Sequence, residues 1–397
     1  MTAPRTAGTV PVTDHPSVVH IITALGTGGA ERQLESLVTH SAGRSRTIAL
    51  YDGGVVADAM RAAGHRVDEL GLGSRTGVRK LLAVPALLRL IREDRPDIVH
   101  VHLLAAQLWG IPSARLAGVR HVLSSEHSLM DTTIESRPLT PMLRRVYRVL
   151  ERLTSHTVAV SETTRSRLLR WGIRSDRISV VDNGIDFDRL AFSAADREIA
   201  RGAWGVGPGT TVVGAVGRLE PVKRFPALLD ALAPWLRTGD RHLVLVGDGP
   251  LKAALIERAA ALGVADLVHV LGARPDIPAL LSGLDILISP SRDETFGMAV
   301  VEALGAGLPV VYAQCPALDE LSAPLPTAHP LARYGMTVGS PDADTTEGPA
   351  IIAALTAVLA APAADRSGTA TLPTLRDAYG IDRAAASIDA LYRKLTG

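Results

Sequence analysis

The sequence lacks several features that would point to other classes of protein. It contains one cysteine, Cys315, which excludes an internal disulfide and a metal site built from several thiolates. No apolar run reaches the roughly 18 residues, free of charges and helix breakers, that a membrane-spanning helix needs. The formal net charge is only +1, so a nucleic-acid partner is not indicated. We therefore expect a globular protein of the reducing cytoplasm.

The apolar content is high enough for packed cores. Hydrophobic residues make up 47% of the 397 positions, and a chain of this length favours two α/β domains over one. Residues 1–16 are polar and rich in proline. They lack the apolar stretch of a secretory signal and are predicted to be disordered.

Strand and helix patterns alternate in two series, which predicts two parallel, doubly wound sheets. The pattern breaks at Asn183-Gly184-Ile185-Asp186, and a polar segment ending at Gly205–Gly209 follows, where we place the linker. The expected domains are residues 17–187 and 188–372, the second with a further strand at Met336–Val338, followed by a final helical segment at 373–397. Two such domains leave a cleft between the carboxyl ends of their strands, and ligands bind there.

The segment Ser289–Ala313 carries the strongest functional signal. A strand predicted at Asp285–Ser289 leads into a polar loop, and the helix predicted over Gly297–Ala306 is stopped by Gly-Leu-Pro before the next strand, Pro309–Ala313. Glu294 lies in the loop and Glu302 on the helix. The free N–H groups at the helix start, from Gly297 and Met298, favour an anion such as a pyrophosphate. This arrangement suits a ligand with both phosphate and hydroxyl groups, although two solvated glutamates would give the same spacing.

Two cations follow the first strand of the second domain. Arg218 is expected at the carboxyl end of the strand and Lys223 at the start of the next helix, where both could hold a diphosphate. Gly247-Asp248-Gly249-Pro250 is a strand-to-helix turn that fits either close approach of a nucleotide or an ordinary tight turn. Main-chain atoms of Arg274 could read a base edge.

The first domain offers fewer signals. Gly28 and Gly29 belong to a glycine loop after the first strand, which could lend N–H groups to a phosphate or, with Asp52, indicate a dehydrogenase. His127 ends a strand and would point across the cleft. His100 and His102 are interpreted as strand-face residues, and no histidine or carboxylate spacing indicates a metal site.

A basic amphipathic helix is predicted over Pro141–Leu153, with arginines beside leucines and valines. It fits either an ordinary exposed helix or contact with an anionic membrane or a lipid-linked acceptor. The second interpretation would place the protein peripherally on the inner face of the membrane.

Taken in order, the motifs resemble family 4 of the retaining glycosyltransferases. The resemblance rests on Gly217-Arg218 to Lys223, Gly247 to Pro250, Leu271-Gly272, Glu294-Thr-Phe-Gly297 to Glu302, Gly307-Leu-Pro309, His20–Glu31, Glu126-His127, Val160-Ser161 and Asn183 to Asp186, and it covers about residues 20–395. It implies a GT-B fold, in which two Rossmann-like domains face a cleft and the last helix, here Asp382–Leu395, crosses back to the first domain. It also implies a nucleotide-sugar donor, retention of anomeric configuration, and chemistry without a metal or cofactor.

The resemblance also implies roles for single residues. Glu294 and the amides of Phe296, Gly297 and Met298 would hold donor-sugar hydroxyls and phosphate, Glu302 the ribose, and Arg218 and Lys223 the diphosphate. His127 would face the sugar. Two departures leave the donor open: Gln314–Glu320 stands where a Gly-Gly loop is common, and Arg224-Phe225 follows Lys223 where glycine is usual.

The predicted function is transfer of a sugar, from a UDP-sugar first and a GDP-sugar second, to a hydroxyl of a glycan, a lipid-linked glycan or a small metabolite. A sugar-nucleotide epimerase of the same fold and a non-catalytic sugar-nucleotide-binding protein remain as alternatives.

Overall fold

The computed structural model describes residues 15–73, 82–323, 325, 331–333, 343–361, 366 and 373–397. The predicted strand at Met336–Val338, nearly all of the N-terminal segment and most of the connector before residue 373 lie outside these residues.

The first domain is built on a parallel sheet. The strands of this domain are β1 Val18–Ile22, β2 Ser45–Ala49, β3 Arg66–Glu69, β4 Ile98–His102, β5 His121–Glu126, β6 Thr133–Ile134, β7 Arg137–Pro138, β8 His156–Ala159 and β9 Ile178–Val180. Strands β6 and β7 form a small antiparallel hairpin outside this sheet. The order in the sheet is β3-β2-β1-β4-β5-β8-β9. Every residue of β1 and β4 is buried, as expected for central strands covered by helices on both faces.

The second domain repeats this plan with a parallel sheet of its own. Its strands are β10 Thr211–Val216, β11 Arg241–Val246, β12 Val268–Gly272, β13 Ile286–Ser289, β14 Val310–Tyr312 and β15 Leu331–Arg333. The order is β12-β11-β10-β13-β14-β15. In both sheets the order reverses beside the first strand of the domain, which is the switch point where α/β sheets bind ligands.

Helices connect these strands and cover the sheets. In the first domain they are α1 Gly29–His40, α2 Val55–Ala62, α3 Ala83–Asp94, α4 Leu104–Leu116, α5 Pro141–Leu153 and α6 Glu162–Arg170. In the second they are α7 Ala194–Ala203, α8 Phe225–Leu236, α9 Lys252–Ala261, α10 Ile277–Gly283, α11 Met298–Gly305, α12 Pro316–Asp319 and α13 Ala343–Ala360, followed by α14 Pro373–Tyr379 and α15 Ile381–Thr396. No helix among the described residues is long and apolar enough to cross a bilayer.

The linker predicted at Gly205–Gly209 is wrong. The polar segment before it forms α7, which packs on α10 so closely that a Cβ on Gly283 would lie 2.6 Å from the Trp204 ring. Helix α7 is therefore part of the second domain. The chain instead crosses between the domains near Ile185, which donates its N–H to the Tyr379 carbonyl and accepts the Ile381 N–H.

The last helix packs on the first domain. Ile388, Leu391 and Tyr392 of α15 are buried in a cluster with Val18 of β1 and Leu37 of α1. The two crossing segments thus lie side by side, and together they hold the carboxyl ends of the two sheets toward each other.

Candidate functional site

A cleft of about 600 Å³ lies between the two domains. It is bordered by the loops that follow β1, β4, β5, β10, β11, β12 and β13, together with the start of α11. All the residues that the sequence assigned to the site line it: Gly28, Gly29, His127, Arg218, Lys223, Arg274, Glu294, Phe296, Gly297, Met298 and Glu302. Residues from both halves of the chain therefore meet in one place.

Glu294 forms an ion pair inside the cleft. Its side chain is 9% exposed, and Oε1 accepts a hydrogen bond of 2.6 Å from Lys223 Nζ. Lys223 ends a 3₁₀ turn, Pro221–Lys223, rather than beginning a helix as the sequence suggested. The ammonium has three N–H donors, so it can hold Glu294 and still offer donors to a second ligand.

Helix α11 begins at the floor of the cleft. Gly297 precedes it with φ of +97°, where a side chain would be strained, and a Cβ there would lie 2.5 Å from Cys315 Sγ. The buried thiol of Cys315, in the segment that departs from the family pattern, fills the space beside this glycine. Met298 and Ala299, the first residues of the helix, line the cleft, and the N–H groups at a helix start form a site suited to an anion.

Glu302 lies one turn into α11 and also borders the cleft. Burial raises the pKa of its carboxyl to about 7, and the Arg32 guanidinium of the first domain lowers it in part. The side chain can therefore change its charge near neutral pH.

Arg218 is more exposed than Lys223, with 44% of its side chain accessible against 20%, and its guanidinium lies 3.2 Å from Glu220 Oε1. The turn at Gly247 packs against the same loop, because a Cβ on Gly247 would lie 1.9 Å from the Gly217 carbonyl oxygen. The Gly247–Pro250 turn is thus explained by close packing of two loops.

The sequence assigned only main-chain atoms of Phe296 and Arg274 to the donor site, and the side chains of both residues are engaged elsewhere. The Phe296 ring is buried in the core against Tyr379, 5.1 Å between centroids and edge-on, so that only its main chain can face a ligand. The Arg274 guanidinium is paired with Asp276, and the Arg274 carbonyl accepts a hydrogen bond from Arg32.

His127 stands on the opposite wall at the end of β5. Burial lowers the pKa of its imidazole to about 4, so the ring is neutral at pH 7. Its Nε2 lies 3.3 Å from His102 Nδ1. The turn that carries it is held by Glu126, whose carboxylate accepts the Ser128 N–H and the Tyr147 hydroxyl. Burial also raises the pKa of Glu126 to about 7.

The structure brings together His100 and His102, which the sequence placed on a strand face, with His20 of β1. One ring nitrogen each of His20, His100 and His102 lies within 4.8 Å of the others. His100 is already engaged through Nδ1 with Tyr392 and through Nε2 with Ser125, and His20 shares a hydrogen bond with His102. The three imidazoles are thus hydrogen-bonded to one another, to Tyr392 and to Ser125.

Sequence reasoning missed several charged residues of the first-domain wall. Glu31 and Arg32 of α1 line the cleft, together with Glu135 and Arg137 of the β6–β7 hairpin. Burial raises the pKa of both glutamates. Glu31 belongs to the motif that supports the family resemblance. Its carboxylate lies against Gly28 because of the direction in which α1 begins after the glycine loop, which the sequence does not indicate.

The chain matches two sequence families and many solved structures. The family described as Glycosyl transferases group 1 matches residues 196–325, and Glycosyltransferase Family 4 matches residues 27–189. D-inositol 3-phosphate glycosyltransferase of Gordonia bronchialis is 30% identical over 68% of this chain and 62% of its own length. The 2-deoxystreptamine glucosyltransferase of Streptomyces kanamyceticus is 31% identical over 57% of this chain and 62% of its own length.

The matched part of the chain spans less than two thirds of either relative. Among solved structures, HepE of Anabaena in complex with UDP and glucose superposes with a TM-score of 0.77 at 22% identity, covering 95% of this chain and 99% of that one. The two family matches together occupy most of both domains, so this chain belongs to the group 1, family 4 glycosyltransferases and has the GT-B fold that the sequence predicted.

Proposed function

We propose that this protein is a retaining glycosyltransferase that moves a sugar from a nucleotide-sugar donor to an acceptor hydroxyl. The observation that carries the proposal is the Glu294–Lys223 ion pair beside the start of α11, in a cleft whose other wall presents His127. This arrangement offers hydrogen-bond acceptors for sugar hydroxyls and positive charge for a diphosphate within one cavity.

A UDP-sugar is the first choice of donor and a GDP-sugar the second. HepE of Anabaena, which shares the fold, was solved with UDP and glucose and with UDP-glucose. A mycobacterial relative, 33% identical over 58% of this chain, is a GDP-mannose-dependent α-mannosyltransferase. The acceptor is a hydroxyl of a glycan, a lipid-linked glycan or a small metabolite.

In the proposed reaction the bond from the anomeric carbon to the diphosphate oxygen breaks, and a bond to the acceptor oxygen forms on the same face of the sugar. The acceptor proton passes to the leaving diphosphate. Negative charge grows on that group in the transition state, and Arg218, Lys223 and the helix start stabilise it, because fixed donors need no reorganisation as the charge develops. This assignment requires no metal ion.

Glu294 and His127 hold the sugar in this scheme. Glu294 accepts hydrogen bonds from sugar hydroxyls while Lys223 neutralises its charge. The neutral imidazole of His127 bonds a hydroxyl from the other wall without adding a positive charge beside the anomeric carbon.

The test is Glu294→Ala, with Glu257→Ala, an exposed glutamate on α9, as the matched control. Wild-type protein should transfer sugar to an acceptor pool with retention, read from the anomeric signal of the product by NMR. Glu294→Ala should abolish transfer while its circular dichroism stays native, and the control should turn over normally. Near-normal transfer by Glu294→Ala would refute the assignment.

We also propose that the exposed face of α5 contacts an anionic membrane surface. Arg145, Arg148 and Arg152 are exposed on it beside Met142 and Val149, which are 70% and 51% exposed. This combination of basic and apolar side chains is typical of helices that lie in a bilayer interface.

The protein should co-sediment with phosphatidylglycerol vesicles and not with phosphatidylcholine vesicles. Replacing the three arginines by glutamine should abolish the difference, and equal binding to both vesicle types would contradict the proposal.

A further inference from the structure

The loop that carries Glu294 belongs to the second domain but is held by the first. Asp293, Glu294 and Thr295 each bond a residue of the first domain. Asp293 Oδ1 accepts from Arg167 Nη2 at 2.6 Å, and its Oδ2 accepts the Asp131 N–H at 2.9 Å. The Glu294 carbonyl accepts from Arg167 Nη1 at 2.8 Å.

Arg167 is at the centre of this contact. It lies on α6, its side chain is 3% exposed, and it also donates to the Leu129 carbonyl and to the Asp131 carboxylate. A buried guanidinium needs such a full set of acceptors, because an unpaired buried charge is costly. Half of that set comes from the loop of the opposite domain, so separation of the domains would leave Arg167 and Asp293 without each other.

Thr295 extends the connection to the other side of the sugar site. Its carbonyl accepts from the Ser161 hydroxyl at 2.5 Å, and its own hydroxyl donates to the His127 carbonyl at 2.8 Å. The backbones that carry Glu294 and His127, the two residues assigned to the sugar, are therefore joined through one threonine side chain. Their separation is set by this contact rather than by either domain alone.

We infer that Arg167 is a positioning residue for the reaction, which couples closure of the two domains to the placement of Glu294. The inference rests on the proposed function. Arg167 bonds the peptide from which the Glu294 side chain extends, while Lys223 of the second domain holds the carboxylate. Glu294 is thus fixed at both ends only when the first domain is docked, whereas Arg218 and Glu302 stay on their own domain.

Because Arg167 supports the sugar contact and not the nucleotide contacts, its loss should change kcat rather than the dissociation constant of UDP. Loss of Arg167 leaves the nucleotide contacts in place but loosens the carboxylate that holds the sugar. A misplacement of about 1 Å can cost about 100-fold in rate. We expect Arg167→Met to lower kcat about 10- to 100-fold while the dissociation constant of UDP, which lacks the sugar, changes less than about threefold.

The experiment compares Arg167→Met with Arg170→Met in the full-length protein. Arg170 lies one turn further along α6, is 61% exposed and bonds only Asp131 among the described residues, so it is a matched control expected to keep wild-type kcat. Arg167→Lys retains a cation and should recover part of the loss. A double-mutant cycle with Glu294→Gln provides the readout that a purely structural role would not move. If Arg167 acts through Glu294, the two losses in kcat will be strongly non-additive.

Thr295→Val provides a second route in case Arg167→Met does not fold. It is nearly isosteric, removes only the hydroxyl bond to His127, and should also lower kcat more than it weakens UDP binding. Wild-type kcat in either variant, or losses that simply add to that of Glu294→Gln, would overturn the inference. Absence of transfer by the wild-type protein would instead refute the proposed function, so the two failures are distinguishable.

Discussion

Donor binding should strengthen as the pH rises through 7, because of Glu302. Burial raises the pKa of this carboxyl to about 7 in the unliganded protein. In the proposed role the carboxylate accepts hydrogen bonds from the ribose hydroxyls, and only the ionised form can accept at both oxygens. Binding therefore competes with protonation of this side chain.

The size of the effect follows from that pKa. If only the ionised form binds, the apparent dissociation constant is multiplied by 1 + 10^(pKa − pH), which gives about 11 at pH 6 and about 1.1 at pH 8. Affinity for the donor should therefore rise about tenfold between these values, equivalent to about 1.4 kcal/mol. The sign is fixed, because a carboxyl that must lose its proton on binding favours the ligand at higher pH.

Isothermal titration calorimetry with UDP-glucose is the appropriate assay. Each phosphorus of a nucleotide sugar carries one ester oxygen and the shared anhydride oxygen, so it keeps a single negative charge from pH 6 to 8, and the pKa of His127 lies well below this range. Glu302→Gln removes this titrating group and should weaken binding and reduce its pH dependence below that of the wild-type protein. A wild-type affinity that is flat across this range, or that falls with rising pH, would refute the assignment of Glu302 to the ribose.

Three further outcomes are expected. Gly297→Ala should lower the free energy of unfolding by about 1–3 kcal/mol, because it adds a Cβ at positive φ against Cys315, and Cys315→Ala should restore part of that loss in denaturant melts. Ile388→Ala should cost about 2–5 kcal/mol by emptying a buried site between α15 and the first domain; an unchanged melting temperature would mean that this helix is not docked there. Treatment with EDTA should leave transfer unchanged, since protein cations and a helix start supply the positive charge; activity restored only by Mg²⁺ would contradict this.

The second-domain half of the site could be predicted because its signals are local. The strand expected at Asp285–Ser289 is observed at Ile286–Ser289, and the helix expected at Gly297–Ala306 is observed at Met298–Gly305. An apolar run, a glycine turn and a Gly-Leu-Pro stop are sufficient to place these elements. Once they are placed, Glu294 must lie in the loop after a parallel strand, and Glu302 must lie near the start of the helix that follows.

The contacts that complete the site could not be read in the same way. Arg167 and Asp293 are 126 residues apart, and they meet only because two separately folded sheets dock in one orientation. In sequence Arg167 is one of several arginines on a polar helix. Its burial is decided by the tertiary arrangement, which hydrophobic periodicity does not encode. The linker was misplaced for the same reason. The sequence of α7 is largely polar and does not indicate that one face of this helix packs on α10.

In the proposed reaction, the Glu294–Lys223 pair would allow a carboxylate to share a cleft with the diphosphate of the donor. Alone, Glu294 would repel the phosphates in a partly desolvated site, where charges are weakly screened. Lys223 at 2.6 Å cancels that repulsion and keeps two N–H donors for a phosphate oxygen. The sequence suggested two separate roles, a sugar acceptor and a phosphate cation. The structure joins them in one charge-balanced unit that Arg167 aligns from the opposite domain.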